Sequence, residues 1–341
     1  MESRLTALLA SAFLLLAVSE ADSQNLRIGI VDFYGLQRVS EIQARSALTV
    51  KEGDTMVMAG DAPAPFVTAS ERRLATLPGV RRAHLAVVCC DAGRAIVYVG
   101  LEETDSSVPH FRDASRGPVR LAADVVQAGR DFSAALMAAV QRGEAAEDIS
   151  SGHSLMRDSA ARAIQERFIG YARDLTPIRD VLRNSSDAEH RALAAQILGY
   201  APNKRDVIDD LVYGMTDSSE EVRNNAMRSL VAIGHATSAE PPPIPVEPFV
   251  SLLNSPVWTD RNKASLALMN LSESRDPTVL ATLRARAIVP LVEMGRWKSQ
   301  GHAMPALMIL GRIAGQSEEE VQAALKRGDR DAVIDAALGR R

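Results

Sequence analysis

Through most of the second half of this chain, apolar positions recur with a helical period. The clearest segment is "DSSEEVRNNAMRSLVAIG", residues 217–234, which opens on acidic and hydroxyl residues and carries one apolar stripe through Ala226 and Leu230. The segment recurs. "SSDAEHRALAAQILGY" aligns Arg191, Ala194 and Leu198 with Arg223, Ala226 and Leu230, and "WTDRNKASLALMNLS" adds Arg261, Ala264 and Leu268. "SQGHAMPALMILGRIAG" adds His302, Pro305 and Ile309, so the Arg/His positions are spaced by 32, 38 and 41 residues. Each copy follows another apolar helix: "TPIRDVLRN", "VIDDLVYGM", "VEPFVSLLN" and "AIVPLVEMG". A helix–turn–helix unit at this period predicts an α-solenoid, whose units bury their faces only against their neighbours. Alanines at the inner positions let helices approach closely, and leucines fill the seam.

The N-terminal part follows a different rule. Ile28, Ile30 and Val31 to Phe33 read as a strand ending at Gly35. Ser40 with Gln43 forms a capping box for a short helix carrying Ile42, Ala44 and Leu48, and Thr68 with Glu71 forms another for a helix carrying Leu74 and Leu77. A polar loop, Gly53 to Pro65, separates the two, and Pro78-Gly79 stops the second. "VRRAHLAVVCCDAGRAIVYVGLEE" then reads as two strands about the turn Asp91-Ala92-Gly93. With "DFYGLQRVSEIQARSAL…KEGD" and "ERRLATLPGVRRAHLAVV" in place, this strand–helix–helix–strand–strand order over residues 26–103 resembles a POTRA domain. The resemblance implies a module of cell-division and outer-membrane-assembly proteins that holds partner polypeptides, often by adding a strand at the sheet edge. No β-barrel follows, so a role in barrel insertion does not carry over.

Residues 104–156 read as a linker with a long amphipathic helix, in which Leu121, Val125, Phe132, Leu136, Met137 and Val140 share one side. Gly129 weakens that helix by about 1 kcal/mol relative to alanine. Residues 157–316 resemble a HEAT array of four units, because an acidic turn precedes Val-Arg and an Ala-x3-Leu step. Residues 317–341 read as capping helices, and "SAEPPPIPVEP" as a surface insertion between the second and third repeats. The fold class expected is mainly α with a small α+β N-terminal domain: a POTRA-like βααββ unit, then a HEAT-like α-solenoid. HEAT proteins use the curved surface of the stack to bind other proteins.

Composition agrees with close-packed helices. Of the 341 residues 46% are apolar but only 4% aromatic, and the net charge of −4 gives no basic stripe for nucleic acid. Arg4, the apolar run Leu5–Val18 and small residues at Ala17, Ser19 and Ala21 have the anatomy of a signal peptide over residues 1–21. The competing reading is a membrane anchor, but 14 apolar residues fall short of the roughly 20 that span a bilayer. The mature chain is expected to be exported, to the periplasm or cell envelope, with no stable membrane span.

Catalytic signatures are missing: there is no Gly-x-Ser-x-Gly, phosphate loop, dinucleotide fingerprint or HExxH, and no two histidines stand at metal-ligand spacing. No catalytic residue, metal or cofactor is therefore assigned. His153 and His302 each follow a glycine before a helix, which suits turn packing better than catalysis. Adjacent Cys89 and Cys90 form a possible redox pair, but in a regular strand they point to opposite faces, so the expectation is one thiol inward and one outward. Trp258 and Trp297 precede second helices on consecutive repeats, where they would make a hot spot if exposed or cover the seam if not; we take the second reading. Arg191, Arg223 and Arg261 form a ladder that, by the HEAT resemblance, ties neighbouring turns together. With His302 these residues are the candidate partner-binding set. The function expected is a non-enzymatic scaffold for protein or peptide partners, the alternative being an enzyme or a maturation factor for a cofactor-bearing protein.

Overall fold

The structure, a computed structural model, describes residues 25–57, 64–236 and 242–340. The signal segment lies outside the described residues, as do parts of the Gly53–Pro65 loop and of the proline-rich insertion.

The N-terminal unit runs β1 (Asn25–Tyr34), α1 (Glu41–Ala47), β2 (Thr55–Val57), α2 (Pro65–Leu74), β3 (Val80–Asp91) and β4 (Arg94–Glu103). The sheet order is β2-β1-β4-β3, with β1 parallel to β4 and both outer pairings antiparallel. The expected element order holds, with the short β2 added. The Ser40–Gln43 capping box forms as read. The second box does not: α2 begins at Pro65, whose fixed φ suits a first helical turn, so Thr68 falls inside the helix. Glu71 is thereby released, and its carboxylate accepts the backbone N–H of Leu85 at 2.9 Å. Ile42, one of the apolar residues read on this helix, is 82% exposed; Ala44 and Ala47 are the buried residues of α1.

Every residue of β4 after Arg94 is buried. Side-chain alternation explains how. Ala95, Val97, Val99 and Leu101 join Ile28, Val31 and Phe33 in a core shared with α1 and α2. Ile96 and Tyr98, with Tyr34 of β1, join a second core whose other buried members all lie from Leu121 onward, most of them on the solenoid helices. A strand covered on both faces reads as an unbroken apolar run, which "AIVYVGL" is.

The solenoid opens with α3 (Ala123–Gln141) and α4 (Ser159–Tyr171) and continues in four pairs. These are α5/α6 (Leu175–Asn184, Ala188–Leu198), α7/α8 (Ile208–Gly214, Glu220–Gly234), α9/α10 (Glu247–Leu252, Trp258–Leu271) and α12/α13 (Ile288–Gly295, Gln300–Ile313). Ala194, Ala226, Ala264 and Ala306 on the second helices have no exposed surface, as close approach requires. An unanticipated helix, α11 (Pro277–Arg286), stands between the third and fourth pairs and accounts for the wider last spacing. α13 runs unbroken through Pro305. α14 (Glu318–Lys326) and α15 (Arg330–Ala337) close the stack. The linker loop at 146–158 contains a small hairpin, β5 (Glu147–Asp148) with β6 (Leu155–Met156). Among the described residues no helix is long and apolar enough to cross a membrane.

Candidate functional site

The three arginines of the ladder use one repeated geometry. Each guanidinium donates to the carbonyl six residues earlier, in its own turn: Arg191 to Ser185, Arg223 to Asp217 and Arg261 to Ser255, at 3.0, 2.8 and 2.6 Å. Each also reaches a carboxylate of the following repeat. Arg191 makes a two-pronged contact with Asp217 at 2.9 and 2.9 Å, and Arg223 one with Asp260 at 2.9 and 2.8 Å. Arg261 pairs with Glu293 at 2.6 Å. Arg191, Asp217, Arg223 and Asp260 are almost wholly removed from solvent. Burial raises the Asp260 carboxyl above its ordinary value, and the Arg223 charge opposes that rise. The planar fork of arginine is what permits a carbonyl and a carboxylate to be held at once.

The ladder's outer side is occupied by the chain itself. Residues 104–121 run as an extended strap past the turn of the second repeat and then that of the first. The N–H of Arg112 donates to Thr216 O at 2.8 Å, its guanidinium reaches Asp217 at 2.5 Å, and it lies 3.9 Å over the Tyr213 ring. Phe111 lies under Arg223 at 3.9 Å. Ser186 donates its N–H to Gly117 O, and Leu121 its N–H to His190 Nδ1. A β-carbon on Gly117 would collide with the carbonyl of Asn184, so only glycine lets the strap sit this close.

Beyond the strap, the sheet covers the third and fourth turns. Tyr98 is the hub of an aromatic cluster, with Trp258 at 5.2 Å, Trp297 at 5.0 Å and His302 at 5.6 Å between ring centroids. Tyr34 packs on Trp297 and under Arg261, and its hydroxyl donates to Pro256 O at 2.9 Å. The Tyr98 hydroxyl lies 2.8 Å from His302 Nδ1. Burial pushes both tyrosine hydroxyls up and His302 down, so the phenol is protonated and the imidazole neutral at pH 7. Polar contacts frame the cluster: Gly35 N–H donates to Glu293 at 2.6 Å and Lys298 N–H to Asp32 at 2.6 Å.

The six candidate residues therefore do share one edge, but it is not a free surface. Trp258 and Trp297 are 8% and 1% exposed and lie between solenoid and sheet, so an exposed tryptophan hot spot is ruled out; the seam they fill is an interdomain one as well as an inter-helix one. The sheet side of this contact, Tyr34, Tyr98 and Gly100, was missed; its signal was the unbroken apolar run of β4. His153 stands elsewhere, in the β5–β6 turn, 3.3 Å from Lys204 Nζ and beside Tyr200. Burial first, then the Lys204 charge, lowers it to about 4. His153 and His302 thus share no cleft. Cys89 and Cys90 depart from expectation, being joined to each other as a vicinal disulfide. Regular pairing of β3 with β4 ends at Val88, so the opposite-faces rule for strand neighbours does not apply at the hairpin end. Among the described residues no three His, Cys, Asp or Glu side chains are arranged to hold a metal ion.

Comparison with protein families matches HEAT repeats at residues 175–242, the first two helix pairs. Comparison with curated protein sequences finds no match. Among solved structures, a computationally designed armadillo repeat protein for modular peptide recognition aligns at 18% identity over 63% of this chain and 98% of its own, with a TM-score of 0.36. A designed armadillo repeat protein in complex with a (KR)4 peptide aligns at 18% identity over 64% and 99%, also at 0.36. An engineered protein aligns at 17% identity over 64% and 96%, at 0.34. The chain is similar to HEAT repeats across its first two helix pairs, and by its own geometry it is a helical-repeat solenoid with a small sheet docked on one edge.

Proposed function

We propose that this chain is an exported, non-enzymatic scaffold of the cell envelope that holds polypeptide partners, with a POTRA-like sheet as one binding element and the HEAT-like solenoid as the other. One observation carries the reading. β3 spans 12 residues at the sheet's outer edge, and β4 is its one strand neighbour among the described residues. Leu85 turns its N–H away from β4 toward Glu71, so by antiparallel alternation Ala83 and Val87 also present their backbone groups outward. An extended segment can pair there by main-chain hydrogen bonds. Glu71 restrains the same edge against indiscriminate pairing by occupying one donor.

Deleting the N-terminal half would bare Trp258 and Trp297, so an edge-blocking substitution is the cleaner test. Val87→Pro removes an outward donor and leaves the β4 ladder intact. Full-length wild type and variant, matched by circular dichroism, serve as baits on native envelope extract. A partner captured by wild type and lost with Val87→Pro supports the sheet edge. One retained by both places recognition on the solenoid, and none captured by either removes the scaffold reading.

A further inference from the structure

The bond between Cys89 and Cys90 joins residues adjacent in sequence, so it closes no loop of chain. A disulfide steadies a fold mainly by closing loops in the unfolded state, and this one removes almost none of that freedom. Neither cysteine belongs to either hydrophobic core. The fold gains little from the bond, so its value lies in what the sulfurs can do.

Their placement suits exchange chemistry. Val88 pairs with Ile96 and Asp91 with Arg94, so two residues of β3, Cys89 and Cys90, stand opposite Ala95 alone. This is a β-bulge, which breaks the strand's alternation and re-aims side chains at a sheet edge. It lies beside the turn Ala92-Gly93 at the end of the hairpin, on an outer strand of the sheet. Cys90 is exposed and Cys89 half-buried. Access decides which sulfur a thiolate attacks, and exposed disulfides are the ones that exchange.

We propose that Cys89–Cys90 is a thiol–disulfide exchange centre that accepts the electrons of a partner dithiol. A partner thiolate attacks Cys90 Sγ and forms a mixed disulfide. The Cys89–Cys90 bond breaks, and its electron pair leaves on Cys89 Sγ, which takes a proton from water. The partner's second thiolate then attacks the partner sulfur of the mixed disulfide, and Cys90 leaves as a thiolate that is protonated in turn. The partner gains one disulfide and this chain two thiols, so the exchange is stoichiometric. Val87, whose backbone groups face outward, precedes Cys89 by two residues, and a polypeptide paired along β3 would carry its thiols to the pair. That route, though not the exchange itself, rests on the edge pairing proposed above.

Acid-quenched, alkylated samples of the full oxidised chain, read by mass spectrometry, test this. Reduced glutathione at about 5 mM should open about half of the pairs within about an hour, whereas a structural bond resists that thiol. Cys89→Ser, given oxidised glutathione, should hold an adduct on Cys90, and Cys90→Ser should acquire one on Cys89 about tenfold more slowly. Equal rates would overturn Cys90 as the attacked sulfur. A wild-type pair that stays oxidised in glutathione for about a day, yet opens once urea unfolds the chain, would overturn the exchange centre whether or not either variant folds. The route is read separately, with a reduced Val/Thr peptide ending in Cys-Gly-Cys and the same peptide interrupted by two prolines. The first should be oxidised about tenfold faster, since proline cannot complete a strand pairing. Equal peptide rates with glutathione exchange intact would remove the approach along β3 and leave the exchange centre standing.

Discussion

Gly100→Ala discriminates between local preference and tertiary contact, because the two predict opposite signs. Glycine inside a strand is unfavourable, so alanine should stabilise β4 by about 0.5–1 kcal/mol on propensity alone. The seam says otherwise. A β-carbon at Gly100 would fall 2.5 Å from Cε2 of Tyr34 and closer still to the carbonyl oxygen of Pro256. The oxygen belongs to the backbone, so the sheet must withdraw. Overpacking of this kind costs about 1–3 kcal/mol. Withdrawal also lengthens the Tyr34–Pro256 hydrogen bond, worth about 1 kcal/mol, and loosens the Tyr98 contacts with Trp258 and Trp297, each worth about 0.5–1.5 kcal/mol. The net expectation is a loss of about 2–4 kcal/mol after the propensity gain is subtracted. Both tryptophans lie in the seam, so the readout is direct. Native-state emission should shift to the red, acrylamide quenching should increase, and the urea midpoint should fall. A variant as stable as wild type, with unshifted emission, would refute the docking geometry.

The ladder makes a second prediction. Asp260→Ala strands the buried Arg223 and should cost about 3–5 kcal/mol by urea unfolding. Arg223→Met combined with Asp260→Leu should recover most of that loss; a double variant as unstable as the single one would contradict the ladder as described. His153 titrates at about 4 in the fold against 6.5 ordinarily, so the unfolded chain takes up its proton first. Its contribution is constant above pH 7, is lost as pH falls from 6.5 toward 4, and changes no further below. His153→Gln should flatten that part of a Tm-against-pH profile, and superimposable profiles would count against the buried neutral ring. Cys89 and Cys90 being bonded, iodoacetamide should modify neither before reduction and both after it, as read by mass spectrometry.

Local order was legible because its causes are local. A 3.6-residue period, acidic turns and an arginine six residues past the turn carbonyl identify a stacked helix pair wherever they occur, and all four pairs stand where the alignment of Arg191, Arg223, Arg261 and His302 put them. The Ser40–Gln43 box likewise needs only four residues. Short or weakly patterned elements escaped: β2, the β5–β6 hairpin, and α11, whose apolar residues form no clear stripe. The cysteine pair was misjudged because strand alternation was carried past the last regular ladder pair.

What covers what was a different kind of question. Period and spacing establish that a helix has an apolar face or that a repeat edge bears Trp258, Trp297 and three arginines, yet they are silent on whether that edge meets water, a partner or a distant part of the same chain. The answer came from the packing, which sets Tyr34, Tyr98 and the 104–121 strap against residues more than 60 positions away. The repeat, the caps and the alternation could be read from residue order alone, since these follow from backbone geometry over a few residues. The docking followed from burial and hydrogen bonding between surfaces that no local pattern links.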